Sequence, residues 1–167
     1  MGNQIDWDNI AEQLGTRLYA YFKRRHAGDA SGDCTQETLI RLYNKVQSGS
    51  FDQKRGNLSQ LAFGIAGFVI LEHMKSQVNH AEINESAGQI EILDSQIEKA
   101  QKQQIVRKAI SELPLIQQEV LALAMDEDLT LKEISEILNQ PENTIKSHIH
   151  RSKENLRNKL QSIWRDL

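Results

Sequence analysis

Apolar side chains recur at helical spacing through the first half of the chain. The spacing of three to four residues predicts helices over about 8–25, 35–47 and 57–77. Gly28, Asp29, Ser31 and Gly32 predict a turn after the first helix, and Ser48-Gly49-Ser50 ends the second. The third segment is apolar on nearly every side, so we expect it at the centre of a bundle, with Phe63 and Phe68 in the core.

The second half of the chain predicts four shorter helices, over about 105–113, 115–125, 131–138 and 142–160. Pro114 ends the first of these. Thr130 and Glu133 have the spacing of a capping box at the start of the third, and Pro141 suits the first turn of the last. Residues 78–104 are polar and acidic, which is typical of a linker. The pattern predicts an all-α fold with two small helical domains, 1–77 and 105–167.

Charge is distributed unevenly along the chain. The formal net charge is −3, but residues 141–167 carry six basic and three acidic side chains. A basic end on an acidic chain indicates a local surface for phosphate contacts. The most apolar run, Leu61 to Leu71, is too short to cross a bilayer. The single Cys34 excludes an internal disulfide and fits a reducing cytoplasm, where we expect the protein to act without membrane insertion.

The last two predicted helices, joined by a tight turn, are typical of a DNA-binding helix-turn-helix. If Ile145, Ile149 and Leu156 face inward, the opposite side of the last helix carries groups that bond base edges or phosphates. The predicted DNA-binding residues are Asn143, Thr144, Lys146, Ser147, His150, Arg151, Lys153 and Arg157. His148 and His150 point in different directions on a helix, so no metal site is expected. No nucleophile motif or phosphate loop is present in the sequence, so we expect neither a cofactor nor catalysis.

Two segments resemble a known family. Residues 112–160 resemble the fourth region of sigma factors, through Leu113-Pro114, Gln118-Glu119-Val120, Glu133-Ile134-Ser135 and the run from Thr144 to Arg151, TIKSHIHR. Residues 33–46, DCTQETLIRLYNKV, resemble the second region, typically DxxQETFxRLW. Together these segments resemble the extracytoplasmic-function (ECF) subfamily of the sigma-70 family, whose members keep only those two regions. The resemblance implies promoter recognition for RNA polymerase.

The resemblance also implies roles for residues of the first domain. Asp33, Gln36, Glu37, Thr38 and Arg41 would dock on the largest subunits of core RNA polymerase. The third helix and the loop before it would hold the opened minus-ten strand of promoter DNA, with Lys54, Arg55, His73 and Lys75 as contacts. The last helix would contact the minus-thirty-five element. Gly64 and Gly67 stand where relatives carry basic residues, which weakens this helix for phosphate contacts. An anti-sigma factor is a further partner by resemblance.

Two other classes of protein remain open from the sequence alone. A stand-alone helix-turn-helix regulator would bind its DNA site without polymerase. A sigma-like interaction protein would bind polymerase or an anti-sigma protein without opening promoters. The atypical third helix is the sequence feature that keeps the second alternative open.

Overall fold

The computed structural model describes residues 5–80 and 94–165, and the described part of the chain is helical without strands. The α-helices are α1 (Trp7–Arg24), α2 (Ser31–Gln47), α3 (Leu58–His80), α4 (Asp94–Ser111), α5 (Leu115–Ala124), α6 (Leu131–Leu138) and α7 (Glu142–Arg165). A short 3-10 helix, Gly28–Ala30, precedes α2. The predicted all-α fold class is confirmed. We call α1–α3 the N-terminal bundle and α4–α7 the C-terminal bundle.

Local chemistry sets both ends of α1. The Asp6 side chain accepts a hydrogen bond from the Asn9 backbone at 3.2 Å and caps the first turn. At the other end, His26 adopts a left-handed conformation with φ 61°. The backbone N–H of His26 donates to Lys23 and that of Ala27 to Phe22, the paired bonds of a Schellman ending. The basic residues that close α1 are therefore followed by a sharp change of direction.

The region between α1 and α2 differs from its predicted form. The predicted turn at 28–32 is shorter than expected, because Ser31 and Gly32 already belong to α2. Gly28 has φ +58°, a conformation that suits glycine, and its carbonyl accepts a hydrogen bond from the Ser31 hydroxyl at 2.8 Å. The turn is completed by Gly28–Ala30 alone.

Helix α3 lies in the middle of the N-terminal bundle, but not every apolar side chain of it is inside. Phe63 is fully buried, as predicted. Phe68 is 68% exposed, so the prediction that it belongs to the core is wrong. A helix that is apolar on every side has no periodicity to show which side faces water, and only packing against neighbours decides it.

Helix α4 begins at Asp94, inside the range predicted as a linker. It continues without a break through the predicted short helix at 105–113 and ends at Ser111, three residues before Pro114. The predicted linker begins at 78, but residues 78–80 form the end of α3, and 81–93 lie outside the described residues. The C-terminal bundle therefore opens with a helix of 18 residues, which packs against α7.

The capping box predicted for α6 is present. Glu133 N–H donates to the Thr130 hydroxyl at 3.2 Å, and Thr130 N–H donates back to the Glu133 carboxylate at 2.8 Å. Asn139 ends α6 in a left-handed conformation with φ 50°. The Ser135 hydroxyl donates to the Gln140 carbonyl at 2.7 Å and closes the turn that leads to α7.

The two bundles share one hydrophobic core. Leu18, Phe22 and Phe63 of the N-terminal bundle belong to the same cluster of buried residues as Leu123 and Ile145 of the C-terminal bundle. Helix α6 packs on α3, and α5 contacts α1. This closed arrangement is the feature of the fold that bears most on function.

Candidate nucleic-acid interface

One side of α7 presents polar and basic side chains to solvent. Asn143, Lys146, Ser147, His150, Arg151, Lys153 and Arg157 are exposed, and Thr144 is half-buried. On the opposite side, Ile145 and Ser152 are fully buried. Sequence spacing predicted this division of the helix, and the burial of Ile145 and Ser152 fixes which side is free. The exposed side has the width and the donor groups that a major groove accepts.

Contacts within the C-terminal bundle hold α7 in place. The Asn155 amide donates to the Gln117 side chain on α5 at 3.2 Å. Lys159 forms an ion pair with Glu112 just after α4, which lowers the pKa of that carboxyl below its usual range. On the exposed side, His150 lies 3.5 Å from Glu154 on the same helix. The predicted DNA-binding surface therefore lies on a helix that side-chain contacts to α5 and to Glu112 hold in place.

The outer side of α2 carries the residues predicted to bind polymerase, with one exception. Asp33 and Gln36 are exposed and Glu37 is half-buried. Arg41 donates to Glu37 at 2.6 Å and to Glu72 of α3 at 2.7 Å, forming an exposed network. Thr38 is fully buried and its hydroxyl donates to the Cys34 carbonyl at 2.8 Å. Its side chain is not part of this surface, because a hydroxyl pointing between helices has no access to a partner.

The four residues predicted to contact the minus-ten strand fall into two places. Lys54 and Arg55 lie in the loop before α3, and the Arg55 side chain is 90% exposed. His73 is half-buried and Lys75 is exposed, both in the second half of α3. Between these places, Asn57 and Gln60 at the start of α3 contact Glu133 and Glu136 of α6, whereas Phe68 is exposed. The contacts with α6 therefore lie at the start of α3, between the loop residues Lys54 and Arg55 and the rest of the predicted surface.

Sequence reasoning missed a buried polar network between the bundles. Arg25, only 2% exposed, has its Nε atom 2.9 Å from the Glu119 carboxylate of α5. The Tyr21 hydroxyl donates to the same carboxylate at 2.8 Å. Arg25 also donates to the Gln118 side chain at 3.1 Å. The basic run Lys23-Arg24-Arg25 suits the C-terminus of any helix, and nothing in its spacing distinguishes the buried Arg25 from Arg24.

Burial governs the protonation of this network. Desolvation is the main cause that raises the pKa of Tyr21 well above its ordinary value, with the neighbouring Glu119 charge second. Burial also raises the pKa of Glu119, although Arg25 and the Tyr21 hydroxyl act in the opposite direction. The Tyr21 hydroxyl at 2.8 Å and the Arg25 guanidinium at 2.9 Å favour the ionised form of Glu119 and so oppose the effect of burial.

A second ion pair joins the bundles near the edge of the interface. Arg17 of α1 donates to both oxygens of Asp126, at 3.0 and 2.8 Å, in a bidentate arrangement. Arg17 also donates to Ser59 at 3.0 Å and lies over the Phe63 ring, 5.2 Å from its centroid. Asp126 itself accepts from the Asp128 backbone at 3.0 Å, so the acidic turn after α5 is ordered around this contact.

Helix α6 contacts the start of α3 through acidic side chains. The Asn57 amide donates to Glu133 at 2.7 Å, and Gln60 donates to Glu136. Beside these contacts lies an open cleft of about 1270 Å³, which Lys54, Arg55 and Glu136 help to line. The amide donors at the start of α3 are thus occupied by carboxylates of the C-terminal bundle.

Comparisons with known proteins agree with this geometry. Residues 103–156 match the model of the family described as sigma-70, region 4. The chain is 25% identical over 176 residues to the ECF RNA polymerase sigma factor SigW of Bacillus subtilis (strain 168), covering 97% of this chain and 92% of SigW.

Two of the matching solved structures share the fold over nearly the whole chain. The sigma factor RpoE, in complex with the anti-sigma factor NepR from Bartonella quintana, matches with a TM-score of 0.69 and 20% identity, covering 93% of this chain and 97% of RpoE. CnrH, in complex with the cytosolic domain of CnrY, matches with a TM-score of 0.69 and 17% identity, covering 96% of this chain and 91% of CnrH. Among the described residues, no helix is both long and apolar enough to cross a membrane.

The C-terminal helix-turn-helix, with its braced and exposed last helix, is the DNA-binding fourth region of a sigma-70 type protein. Over nearly its whole length the chain is similar to the extracytoplasmic-function subfamily of the sigma-70 family of RNA polymerase sigma factors. The resemblance stated from the sequence is therefore confirmed.

Proposed function

We propose that this sigma factor binds core RNA polymerase through α2, contacts the minus-thirty-five element through α7, and holds the opened minus-ten strand with α3 and its preceding loop. It directs promoter-specific initiation by binding alone, with no catalytic step of its own. The observation that carries the proposal is the exposed donor surface of α7 opposite the buried Ile145 and Ser152. A helix with this division suits insertion into a major groove.

The proposed polymerase surface is the outer side of α2. Asp33, Gln36, Glu37 and Arg41 give it a mixture of both charges. Such a surface suits a charged protein partner, because complementary charges steer association and fix the register of docking. The exposed Ile40, at 55% exposure on the same helix, adds an apolar contact at its centre.

An anti-sigma factor is proposed as a regulatory partner. The two solved structures described above contain RpoE bound to the anti-sigma factor NepR and CnrH bound to the cytosolic domain of CnrY. In this chain an apolar groove of about 410 Å³ runs between the bundles, lined by Phe68, Leu71 and Leu115 among others. Partially exposed apolar side chains along such a groove are typical of a protein-binding surface.

Run-off transcription tests the main proposal. Purified core polymerase and a genomic promoter library are incubated with and without this chain, and the starts are mapped. Specific starts that require the chain support the proposal. Footprints on DNA without polymerase would instead support a stand-alone regulator. Capture of core polymerase without any initiation would support a sigma-like interaction protein.

A further inference from the structure

The apolar groove between α3, α5 and α6 has the size of a small-molecule site. Its volume is about 410 Å³, which falls within the range of pockets that hold small ligands. Phe68 and Leu71 of α3 line it opposite Leu115 of α5 and Ile137 of α6. Phe68, Leu71 and Leu115 are all exposed, so three large apolar side chains that meet water surround one concave surface.

Two glycines of α3 leave the space that the groove occupies. Gly64 and Gly67 both line it. A Cβ added at Gly64 would meet no described atom within 4 Å, and one added at Gly67 would come no closer than 3.7 Å to the Glu119 carboxylate. Glycine is unfavourable inside a helix, and no neighbouring atom requires a small residue at either position. The absent side chains therefore leave free volume beside the helix rather than a close helix contact.

The inner end of the groove is polar, because the lining is apolar apart from Arg25 and Glu119. Arg25 is only 2% exposed, and its Nε atom lies 2.9 Å from the Glu119 carboxylate. That Nε–H nevertheless has no hydrogen-bond partner among the described residues. The Glu119 side chain is 12% exposed, so a ligand can reach it. An unpaired buried donor thus lies beside a carboxylate that can accept further hydrogen bonds.

We propose that the apolar groove binds a small molecule with an apolar body and one uncharged amide-like end, the body against Gly64, Gly67 and Phe68 and the polar end at Glu119 and Arg25. An amide N–H donates to the Glu119 carboxylate, and the amide carbonyl accepts from Arg25. The site is a property of the free chain, so its test does not depend on the proposed function. A molecule bound here occupies part of the surface proposed for an anti-sigma factor and competes with that protein.

The charge at the inner end selects against an anionic ligand. A carboxylate of the same shape offers no donor to Glu119 and places a second negative charge beside it. Arg25 already forms an ion pair with Glu119, so it compensates a second anion poorly. The preference for the uncharged ligand is therefore the chemical signature of this site.

A matched pair of probes tests the site, 4-phenylbutanamide and 4-phenylbutanoate. Each is titrated into the full chain, and backbone amide shifts are followed by NMR. The amide should bind with a dissociation constant on the order of 1 mM or tighter and shift Gly64, Gly67 and Leu115. The carboxylate should bind at least about fivefold more weakly. Shifts that do not saturate, shifts that map outside the groove, or equal binding of the two probes would overturn the proposal.

Gly64→Leu is the diagnostic variant, because its side chain fills the groove. It should weaken binding of 4-phenylbutanamide at least about tenfold, the factor expected from losing two buried methylene groups. Gly32→Leu is the matched control, since Gly32 is also helical, has no described atom within 4 Å of an added Cβ, and lies on α2 away from the groove. The control should bind the probe as the parent chain does.

Phe68→Ser provides a second variant that does not add volume. Its ring is exposed, so the substitution should leave the fold intact while removing one wall of the groove. Binding of 4-phenylbutanamide should weaken in this variant too, with circular dichroism showing that each protein is folded. Full binding in both groove variants, or equal loss in Gly32→Leu and Gly64→Leu, would contradict the site.

Discussion

The hydroxyl of Tyr21 donates to the carboxylate of Glu119 at 2.8 Å, across the contact between α1 and α5 and over 98 positions of sequence. Tyr21 is fully buried, and the same carboxylate lies 2.9 Å from Arg25. This carboxylate, which accepts a hydrogen bond from Tyr21 and forms an ion pair with the buried Arg25, is the central polar link between the two bundles. Removing one of these partners should destabilise the protein, because a buried carboxylate with fewer hydrogen bonds is less stable than one that is fully paired.

Removing that hydroxyl tests the link directly. Tyr21→Phe keeps the ring in the core but deprives Glu119 of a donor, and should lower the free energy of unfolding by about 1.5–3 kcal/mol, the range for hydrogen bonds to charged groups. Urea denaturation measures the change. Tyr19→Phe is the matched control, because that ring is 44% exposed and its loss of a hydroxyl should change stability by less than about 0.5 kcal/mol. Equal effects for both variants would contradict the role given to Tyr21.

The recognition surface of α7 predicts a division of labour. Lys146→Ala and Arg151→Ala should each weaken promoter binding by the holoenzyme about tenfold, because each removes one phosphate or base contact. The slope of log affinity against log salt concentration should become shallower by about one. Binding to core polymerase, measured by fluorescence anisotropy, should not change. Lys108→Ala, an exposed lysine of α4, serves as the control for loss of one charge. Parallel losses of promoter and polymerase binding in Lys146→Ala would argue against separate surfaces.

The capping box of α6 predicts both a stability and a pH effect. Thr130→Ala should destabilise the protein by about 1 kcal/mol, the usual value for a lost helix cap. The Thr130 backbone hydrogen bond is the main cause that lowers the pKa of Glu133. A lowered pKa in the folded state means that this stabilisation is present above the ordinary glutamate pKa and is lost as pH falls through the folded one.

Glu133→Gln separates the two effects, because glutamine preserves the capping geometry without titrating. The unfolding temperature is measured between about pH 3 and about pH 7, a range that brackets the usual glutamate pKa. It should fall less steeply toward acid pH in Glu133→Gln than in the parent protein. If the unfolding temperatures of the two proteins depend on pH in the same way, other carboxylates are the cause of the acid dependence.

Gly64 and Gly49 both have room for a methyl group, but we expect alanine to have opposite effects on stability at the two positions. A Cβ added at Gly64, in α3, or at Gly49, after α2, would meet nothing within 4 Å. Gly64 is helical, so Gly64→Ala should raise the free energy of unfolding by about 0.4–1 kcal/mol by restricting the unfolded chain. Gly49 has φ +72°, a conformation in which alanine is strained. Gly49→Ala should therefore lower the free energy of unfolding. Stabilisation by both variants would contradict the backbone argument.

The buried position of Ile145 supports the orientation of α7. Ile145→Ala should destabilise the protein by about 2–5 kcal/mol, since it opens a cavity beneath the recognition helix. Leu115→Ala is the control, because Leu115 is 56% exposed and its truncation leaves no enclosed cavity. Chemical denaturation measures the free energy of unfolding of the two variants. A loss at Ile145→Ala no larger than at Leu115→Ala would contradict the burial of Ile145 on the inner side of α7.

Much of the C-terminal bundle was predictable because its signals are local. Thr130 and Glu133 lie three positions apart, so the sequence shows the capping box as clearly as the structure does. The alternation around Ile145 likewise indicated which side of α7 faces water. Helix boundaries were harder to predict where polar residues are compatible with either a helix or a linker. One example is Asp94, where α4 begins within the predicted linker. Helical hydrogen bonds and packing, which depend on neighbours, decided that boundary.

The sequence by itself determined the helical architecture, the solvent-facing side of α7 and the resemblance to the family, because spacing and motif are properties of residues near one another along the chain. Only the tertiary structure decided that Arg25 is buried while Arg24 is half-exposed, that Phe68 faces solvent, and that Thr38 points inward. The closed contact of the two bundles belongs to this second class. It pairs Arg17 with Asp126 over 109 positions, and the free energy of such a pairing depends on a geometry that no local pattern encodes.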